Sequence, residues 1–534
     1  MYQISSEEIY NSSNKIRIVT STSLFDGHDA SINIMRRVLQ ETGAEIIHLG
    51  HNRSVEDIVK TAIQEDAQGI AISSYQGGHI EFFKYMRDLL NKNGYSHIKI
   101  FGGGGGVIIP NEIKELHDYG ITKIFSPDDG RKMGLQGMIN LIMKECDFNP
   151  LNFEVQNQSS DNYELWSKTA RLITKIENNL PLDSIEKSLQ NTNAQPVILG
   201  ITGTGGAGKS SLTDELLRRF SNNYPDYLFA VISIDPSKRK TGGALLADRI
   251  RMNTLSHKNN IYMRSLATRK SNTSISGSLT DILSFLKSFS YNLIIIETSG
   301  IGQSGSEIVD LSDHSIYVMT SEYGAASQLE KIDMIDFADL IAINKFERKG
   351  STDALRDVRK QYRRSRKLFD QELISDENLP IYGTIASKFN DQGINQLYQT
   401  LIDNISANDN SFKLKNTNDK IQTINLNQNY IIPPNRSRYL SEIAETIRDY
   451  KNWVASETTL VRKYHALSQS LEILKDEAKE NNYPINKSHI DSITQSIDKH
   501  RDQISPETID KLNDWDSLYS KYTADEYSYK VRNK

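Results

Sequence analysis

Cysteine is almost absent from this sequence: Cys146 is the single one among 534 residues. One cysteine excludes a disulfide framework and a thiolate metal site within the chain. Long apolar runs are missing too, since none approaches the roughly 20 residues needed to span a bilayer. Residues 1–15 are polar. We therefore expect no membrane segment, no secretory signal and a cytoplasmic location.

An excess of positive charge is also missing. The chain has 63 basic and 68 acidic residues, a formal net charge of -5, and no dense basic cluster. Electrostatics therefore give no reason to expect nucleic acid as a partner. The length predicts three or four domains, with a composition typical of soluble globular protein.

Short apolar runs alternate with amphipathic stretches through the first part of the chain. This alternation predicts an α/β domain, at 1–148, with a parallel sheet covered by helices on both faces. The predicted strands are Lys15–Thr20, Ala44–Leu49, Gly69–Ser73, Ile98–Phe101 and Ile121–Ser126. The predicted helices are Ala30–Thr42, Val55–Glu65, Ile80–Lys92 and Asn111–Tyr119.

Three further regions follow. Residues 149–195 predict a helical connector, with helices at Asn162–Asn178 and near Leu182–Leu189. Residues 196–410 repeat the alternating pattern and predict a second α/β domain. Its predicted strands are Pro196–Thr202, Leu228–Ile234, Leu293–Glu297, Ser315–Thr320, Leu340–Asn344 and Ile381–Ile385. Residues 411–534 predict a mainly helical region that includes Tyr439–Asn481, almost free of Gly and Pro.

A glycine-rich motif opens the second domain. Residues 203–210 read Gly-Thr-Gly-Gly-Ala-Gly-Lys-Ser between an apolar run and a helical pattern. This is a P-loop, in which backbone N–H groups bind phosphate oxygens. We expect Lys209 to reach the terminal phosphates as a catalytic residue and Ser210 to ligate Mg²⁺. The predicted phosphate-binding residues are Gly206, Ala207, Gly208, Lys209, Ser210 and Ser211.

A second motif, Asn344-Lys345-Phe346-Glu347, predicts the choice of base. It matches the guanine-reading pattern Asn-Lys-x-Asp, with Glu in place of Asp. A carboxylate there accepts hydrogen bonds from the N1–H and the amine of guanine, which adenine does not offer. Ala386-Ser387-Lys388 fits the loop that closes over the base. The sequence therefore predicts a GTPase that binds GTP and GDP.

Acidic residues follow two strands on the P-loop side of the domain. Asp235 and Glu297 each end an apolar run, and Glu297 begins Glu-Thr-Ser-Gly where P-loop GTPases usually carry Asp-x-x-Gly. We expect Glu297 to hold the water shell of the metal and to act in catalysis. Asp248 and Arg251 either add a carboxylate and a phosphate contact or lie on a solvated helix. The predicted metal-site residues in this domain are Ser210, Asp235, Asp248, Glu297 and Thr298.

These motifs carry a family resemblance. Segments 235–243, 248–252 and 297–304, taken in that order, resemble the GTPase metallochaperones of the MeaB/ArgK type. Such proteins load and protect cobalamin-dependent acyl-CoA mutases. The resemblance covers residues 196–390.

The first domain contains a signature that agrees with this resemblance. Asp26-Gly27-His28 follows the first strand, Ser73-Ser74-Tyr75 the third, and Gly102-Gly103 the fourth. They resemble the cobalamin-binding pattern Asp-x-His-x-x-Gly, Ser-x-Leu and Gly-Gly, although Ser31 and Tyr75 replace the usual glycine and leucine. Ser31 and Ser73 are separated by 41 residues, and Tyr75 and Gly102 by 26, as in the family.

The residue types fit cobalt chemistry. The neutral imidazole of His28 can replace the benzimidazole of the cofactor as the lower axial cobalt ligand, and Asp26 would fix its tautomer. The small residues Ser73, Gly102 and Gly103 would leave a slot for the displaced nucleotide tail. All of them follow parallel strands, where α/β sheets of the flavodoxin-like kind bind ligands.

From Lys15 to Lys534, the order of domains resembles the fused isobutyryl-CoA mutases, which continue into a (β/α)₈ substrate barrel. The resemblance implies adenosylcobalamin, Mg²⁺ and GTP as cofactors, isomerisation of isobutyryl-CoA to n-butyryl-CoA, and a homodimer. Acyl-CoA would bind a barrel in a longer chain or on a partner subunit. Residues after 410 cannot build eight βα repeats, so we expect this chain alone to show only GTPase activity.

Two other hypotheses are compatible with the sequence. One is a stand-alone G-protein chaperone that carries cobalamin to a separate mutase. The other is a response-regulator-like domain fused to a GTPase, which predicts no cobalamin binding.

Overall fold

The computed structural model describes residues 9–155, 162–182, 195–238, 240–269, 277–298, 300, 306–323, 329–330, 332–368, 375–408, 412, 439–481, 484 and 486–526. The chain divides into two compact units, residues 1–421 and residues 422–534. The helix predicted near Leu182–Leu189 lies outside the described residues. The predicted limits at 148, 195 and 410 remain predictions.

The first unit begins with a parallel sheet. The apolar runs form strands because both of their faces are buried under helices. Its first five strands are β1 (Arg17–Thr22), β2 (Glu45–His48), β3 (Gly69–Ser73), β4 (Lys99–Gly103) and β5 (Lys123–Phe125). Its helices are α1 (Ala30–Glu41), α2 (Val55–Gln64), α3 (His79–Lys92), α4 (Pro110–Asp118) and α5 (Pro127–Cys146). The five strands lie side by side in the order β2-β1-β3-β4-β5. This is the order of flavodoxin-like folds, and it confirms the predicted fold class.

A second parallel sheet follows in the same unit. Its seven strands lie in the order β13-β12-β11-β6-β10-β7-β9. They are β6 (Val197–Gly203), β7 (Phe229–Asp235), β9 (Ile261–Ala267), β10 (Leu293–Glu297), β11 (His314–Met319), β12 (Leu340–Asn344) and β13 (Ile381–Thr384). The described α-helices between residues 163 and 408 are α6 (Tyr163–Glu177), α7 (Lys209–Asn223), α8 (Thr254–His257), α9 (Leu279–Leu286), α10 (Met334–Phe337), α11 (Ser351–Ser365) and α12 (Gln392–Asn408). Helix α6, predicted as part of a connector, packs into the core of this sheet through buried Trp166 and Ile173.

The strand β8 (Ala244–Leu246) was not predicted from the sequence. It lies between β7 and β9 in the chain, yet it joins the first sheet as a sixth strand, parallel to β2. Ala244 pairs with Glu45, and its N–H donates to the carbonyl of Ala44 at 3.1 Å. The second domain therefore supplies the strand that covers the edge of the first sheet.

Strand β9, at the edge of the second sheet, was also not predicted. Residues of the first domain form hydrogen bonds with it. Gln64, at the end of α2, donates from Nε2 to the carbonyl of Ile261 at 3.0 Å. The N–H of Ser265 donates to Glu65 Oε1 at 3.0 Å, and Arg17 donates to the Ser265 carbonyl at 2.6 Å. Edge strands with free N–H and C=O groups are unfavourable unless they are covered. Each domain thus supplies hydrogen-bond partners for an edge strand of the other domain.

The second unit is helical, as predicted. It contains α13 (Tyr439–Asn481), α14 (Lys487–Arg501), α15 (Pro506–Asn513) and α16 (Trp515–Thr523). Most of its side chains are exposed, including the apolar Trp515 and Leu440. Across the described part of the whole chain, no helix combines the length and apolarity needed to cross a lipid bilayer.

Candidate functional site

The loop after β1 holds Asp26 and His28 in fixed relation. Asp26 is 2 % exposed, and its Oδ1 accepts from the backbone N–H of His28 at 2.9 Å and lies 2.8 Å from His28 Nδ1. The other oxygen accepts from the N–H of Tyr75 at 2.6 Å. Burial tends to raise the pKa of Asp26, but these hydrogen bonds outweigh it and lower the pKa below its usual value. Asp26 is therefore a carboxylate that orients the imidazole.

His28 itself faces outward. Its side chain is 77 % exposed, and its ring lies 5.6 Å from that of Tyr75, centroid to centroid. With Nδ1 turned to Asp26, the Nε2 atom is the one presented for a metal ligand, in the arrangement that fixes a metal-binding histidine tautomer. The structure thus brings the predicted pair together and leaves the His28 ring exposed.

Small polar residues lie under helix α1 at the ends of β3 and β4. Ser73 is buried, and its hydroxyl lies 2.9 Å from the hydroxyl of Ser31 in α1. Gly103 is paired with Ser73 across the strands. Because side chains alternate along strands, both positions share the face of buried Ala71 and Phe101, against which α1 packs. Ser73 and Gly103 therefore fit the predicted slot.

Gly102 does not belong to this face. A Cβ at Gly102 would meet the Phe83 ring at 2.5 Å and Ile124 Cδ1 at 2.6 Å. The absence of a side chain there allows core packing on the opposite face of the sheet. The prediction that Gly102 opens the slot is corrected for this reason, whereas the slot role of Gly103 stays a prediction.

Two buried polar residues of the same face escaped the sequence analysis. Thr20 Oγ1 lies 2.9 Å from Nδ1 of His48, and both side chains share the face of Ile18 and Ile46 under α1. Burial, aided by nearby Arg36, lowers the pKa of His48 to about 4, so the ring is neutral. The sequence could have indicated Thr20 and His48, because each is a polar residue at an inward-facing position of an apolar strand.

The P-loop adopts the conformation that phosphate binding needs. Gly208, at the N-cap of α7, has a φ of 91°, in the left-handed region favoured by glycine. The Nζ of Lys209 is buried and donates to the carbonyls of Gly203 at 3.1 Å and Thr204 at 3.3 Å. Burial lowers the pKa of Lys209. Lys209 thus lies along the loop whose N–H groups face phosphate in P-loop proteins.

The guanine-reading motif contacts the P-loop directly. Asn344 Nδ2 donates to the carbonyl of Ala207 at 2.8 Å, and Lys345 Nζ donates to that of Gly206 at 2.7 Å. The carbonyl oxygen of the Asn344 side chain accepts from the N–H of Ala386 at 3.1 Å. This bond ties the predicted base-closing loop to the motif. Glu347 is exposed.

Phe346 supports the motif through packing. A Cβ at Gly383 would stand 2.5 Å from the Phe346 ring, so the ring lies directly on β13. Its backbone N–H donates to the carbonyl of Thr384 at 3.1 Å. The structure therefore gives Phe346 a positioning role within the predicted base site.

Carboxylates gather around Ser210 at the start of α7. Its hydroxyl lies 2.9 Å from Asp248 Oδ1 and 2.7 Å from Glu297 Oε1. Glu297 also accepts from Thr213 Oγ1 at 3.0 Å. Arg251 contacts the Asp248 carboxylate and donates to Ser210 Oγ at 2.9 Å. Asp248 and Arg251 lie in the short 3-10 helix Asp248–Arg251, and both contact Ser210.

The charges at this end repel one another. Burial, followed by repulsion from Asp248, raises the pKa of Glu297 to about 7. Burial together with Asp248 and Glu297 also raises the pKa of Asp235 well above its usual value. A divalent cation would relieve this repulsion. The residues present therefore fit Mg²⁺.

The protein alone does not form a metal cage. Within the described ranges, no group of three or more His, Cys, Asp or Glu side chains is arranged to hold a metal ion. In P-loop proteins Mg²⁺ takes few protein ligands and completes its shell with phosphates and water. Ser210 as direct ligand, with the carboxylates acting through water, agrees with that chemistry.

Two predicted residues are not brought into these contacts. Thr298 is buried, and its hydroxyl donates to Thr202 Oγ1 at 2.8 Å, away from the carboxylates around Ser210. Ser211 lies in the first turn of α7 without a hydrogen bond from its side chain to any of the named groups. Residues 301–305, after the Glu-Thr-Ser-Gly motif, lie outside the described residues.

Comparison with known proteins assigns both halves of this unit. The B12-binding domain profile matches residues 16–125. The profile described as methylmalonyl Co-A mutase-associated GTPase MeaB matches residues 169–432. The first region contains strands β1–β5, and the second contains β6–β13, including β8, which pairs with the first sheet.

Curated relatives join the same two domains in one chain. The chain is 51% identical over 542 residues to the fused isobutyryl-CoA mutase of Geobacillus kaustophilus, covering 98% of this chain and 48% of the relative. It is 50% identical over 529 residues to that of Cupriavidus metallidurans, covering 98% and 47%. It is 42% identical over 525 residues to that of Nocardia farcinica, covering 97% and 47%.

The chain spans about half the length of the curated relatives it matches. Its cofactors are those of the two domains, adenosylcobalamin for the first and GTP or GDP with Mg²⁺ for the second. The chain contains a B12-binding domain and a GTPase domain of the MeaB family, and over the length it spans it is similar to the fused isobutyryl-CoA mutases.

Proposed function

We propose that this chain is the cofactor-binding and GTPase portion of an adenosylcobalamin-dependent mutase that interconverts isobutyryl-CoA and n-butyryl-CoA. The observation that supports it most is the Asp26–His28 pair, with Nδ1 held at 2.8 Å and the ring exposed. In this proposal the acyl-CoA binds a barrel in a longer chain or on a partner subunit. The assembly is a homodimer.

The residues of the first domain bind and orient the cofactor. Adenosylcobalamin, when bound, supplies the radical chemistry of carbon-skeleton rearrangement. His28 would hold the cobalt through Nε2, and Asp26 would fix the ring orientation through Nδ1. Ser73 and Gly103 leave room beneath α1 for the nucleotide tail.

The residues of the second domain hydrolyse GTP as a servicing step. Lys209 binds the terminal phosphates, and Ser210 ligates Mg²⁺. Glu297 orients the water shell of the metal ion, with Asp235 and Asp248 adding negative charge. Asn344, Lys345 and Glu347 select guanine.

Absorption spectroscopy of the cobalamin complex tests the proposal. Wild type mixed with adenosylcobalamin should give the spectrum of a His-ligated cofactor, and His28→Ala should give the form that lacks this ligand. An identical spectrum for both proteins would refute the axial-ligand assignment. An unchanged cofactor spectrum on adding wild type would favour a domain that does not bind cobalamin.

A second measurement separates mutase from chaperone. The chain alone should hydrolyse GTP and should leave isobutyryl-CoA unchanged. Adding a barrel subunit should restore isomerisation if the chain serves as the front part of the enzyme. Isomerisation by the chain alone would contradict the assignment of substrate binding to a barrel.

A further inference from the structure

In the turn formed by the four consecutive residues Asp248–Arg251, the two outer residues contact the nucleotide site and the two inner residues contact the B12-binding domain. Asp248 Oδ1 and Arg251 Nη2 each lie 2.9 Å from Ser210 Oγ. Arg249, between them, is 4 % exposed and donates from Nε to Glu65 Oε1 at 2.9 Å. The turn therefore contacts the metal end of one site and the structure that supports the other.

The turn is attached to the first sheet on two sides. It follows β8, which is the edge strand of that sheet. Ile250 covers Gly50 in the loop after β2, since a Cβ at Gly50 would stand 3.7 Å from Ile250 Cγ2. Arg53 Nε donates to the Leu49 carbonyl at 2.8 Å and places its guanidinium 3.5 Å from the carbonyl of Ile250. The loop Gly50–Arg53 is thus in contact with the turn.

The same loop holds the segment that carries His28. The carbonyl of Gly50 accepts from the N–H of Thr22 at 3.1 Å, and the N–H of Asn52 donates to Thr22 Oγ1 at 3.0 Å. Asn52 Oδ1 accepts from the N–H of Phe25 at 2.7 Å. Thr22 Oγ1 donates to the carbonyl of Asp26 at 2.7 Å. The contacts therefore run without interruption from Ser210 to Asp26.

Magnesium binding acts on the first contact of this series. The P-loop serine oxygen is a ligand of Mg²⁺ in GTPases, and here the same oxygen accepts a hydrogen bond from Arg251. A hydroxyl oxygen cannot serve both cations at close range, because they repel each other. Binding of Mg²⁺ with nucleotide must therefore move the Arg251 guanidinium and change the hydrogen bonding of the turn.

We propose that Ile250 and Asn52 are positioning residues that link the setting of His28 to occupancy of the nucleotide site by Mg²⁺ and nucleotide. This inference rests on the proposed function, since it requires cobalamin at His28 and nucleotide at the P-loop. Linkage of this kind is reciprocal, so the two ligands change each other's affinity by the same factor.

Cobalamin affinity in different nucleotide states tests this inference. The Kd of adenosylcobalamin is measured by absorption with the full chain alone, with Mg²⁺ and GDP, and with Mg²⁺ and a non-hydrolysable GTP analogue. In wild type, the Kd should differ by about fivefold or more between at least two of these states. Ile250→Ala should bring all three values within about twofold of one another. Ile250→Val, which keeps a branched side chain over Gly50, should restore most of the difference.

Controls distinguish positioning from a structural defect. The Ile250 side chain packs on Gly50 of the B12-binding domain, so Ile250→Ala should bind a fluorescent GDP analogue as wild type does, with a similar melting temperature. Asn52 has a φ of 57°, in the left-handed region that glycine readily adopts. Asn52→Gly therefore keeps this backbone conformation and removes the acceptor of the Phe25 N–H. It should also abolish the difference, whereas Asn52→Asp keeps the acceptor and should retain it.

The outcomes are separable from those of the proposed function. A wild type that binds cobalamin in the His-ligated form with equal Kd in every nucleotide state overturns the linkage alone. So does an Ile250→Ala variant that keeps the full difference. A wild type that never gives the His-ligated spectrum overturns the proposed function itself.

Discussion

At the scale of single residues, both oxygens of Asp26 accept hydrogen bonds from fixed N–H groups. Asp26→Asn would turn an NH₂ group toward one of these donors and weaken the hold on the His28 tautomer. We expect adenosylcobalamin affinity to fall about 10- to 100-fold, as for other partners of metal-binding histidines. An absorption titration measures it. Wild-type affinity in this variant would show that Asp26 does not orient the ligand.

A second pair of residues separates a metal ligand from a supporting hydroxyl. Ser210→Ala removes the hydroxyl at the centre of the carboxylate group and should lower GTP turnover by about 100-fold or more. Thr298→Val removes a hydroxyl that bonds Thr202, and turnover should change less than about fivefold. Steady-state phosphate release at saturating Mg²⁺ measures both. Equal losses would restore Thr298 to the metal site, as the sequence predicted.

The sequence predicted residue chemistry better than it predicted residue orientation. Asp26 and His28 are two positions apart in one motif, so their proximity followed from the chain itself. The motif did not show that Gly102 and Gly103 face opposite sides of the sheet. It depends on which face of β4 packs on Phe83 and Ile124, and those side chains come from distant segments.

At the scale of elements, the short apolar runs predicted most of the strands correctly, and two strands were missed for physical reasons. β8 is three residues long and has too little pattern to be recognised. β9 contains Arg264, which is fully buried and donates to Glu177 Oε2 at 2.7 Å. A charged residue in a strand predicts a surface position unless its partner is known, and that partner lies 87 positions away.

The approach of β8 to the first sheet depends on Gly243. A Cβ there would lie 2.0 Å from the carbonyl oxygen of Gln40. Gly243→Ala should therefore push β8 away from β2 and lower the free energy of unfolding by about 1–3 kcal/mol. Gly277→Ala is the matched control, because open space surrounds that position. Urea denaturation compares the two, and equal stabilities would argue against close packing at this junction.

At the scale of the whole first unit, buried charges join the two domains. Glu45 of β2 pairs with Arg17 Nη1 at 2.8 Å and with Arg269 Nε, after β9, at 2.9 Å. Burial alone would raise the pKa of Glu45, but Arg269 and Arg17 prevail and lower it to about 2. Glu45→Gln should remove one of the carboxylates that face these arginines, leaving Arg17 with Glu65 and Arg269 with Glu177, and destabilise the unit at neutral pH.

The pH dependence of this pair has a definite sign. Because the folded pKa of Glu45 is lowered, its stabilisation is fully present above the unfolded value of 4.5 and is lost as the pH falls to about 2. The difference corresponds to roughly 3 kcal/mol. Urea midpoints should therefore fall between pH 5 and pH 2 more steeply in wild type than in Glu45→Gln. Parallel curves would show that Glu45 does not titrate as a paired carboxylate.

The reciprocal closing of sheet edges predicts that the two domains unfold together. Separating them would expose the edge of β2 now covered by β8 and the edge of β9 now bonded by Gln64, Glu65 and Arg17. It would also break the ion pair between Glu45 and Arg269, which joins the two domains. Calorimetry should thus give a single transition for residues 1–421.

A ligand stabilises the whole cooperative unit to which it binds, by about 2.7 kcal/mol at 100 times its Kd. Mg²⁺ with GDP should therefore slow hydrogen exchange of the amides of β1 and β3, far from the P-loop, as much as those of β6. Protection confined to the GTPase sheet would show that the domains open independently and that the shared strand does not make them one folding unit.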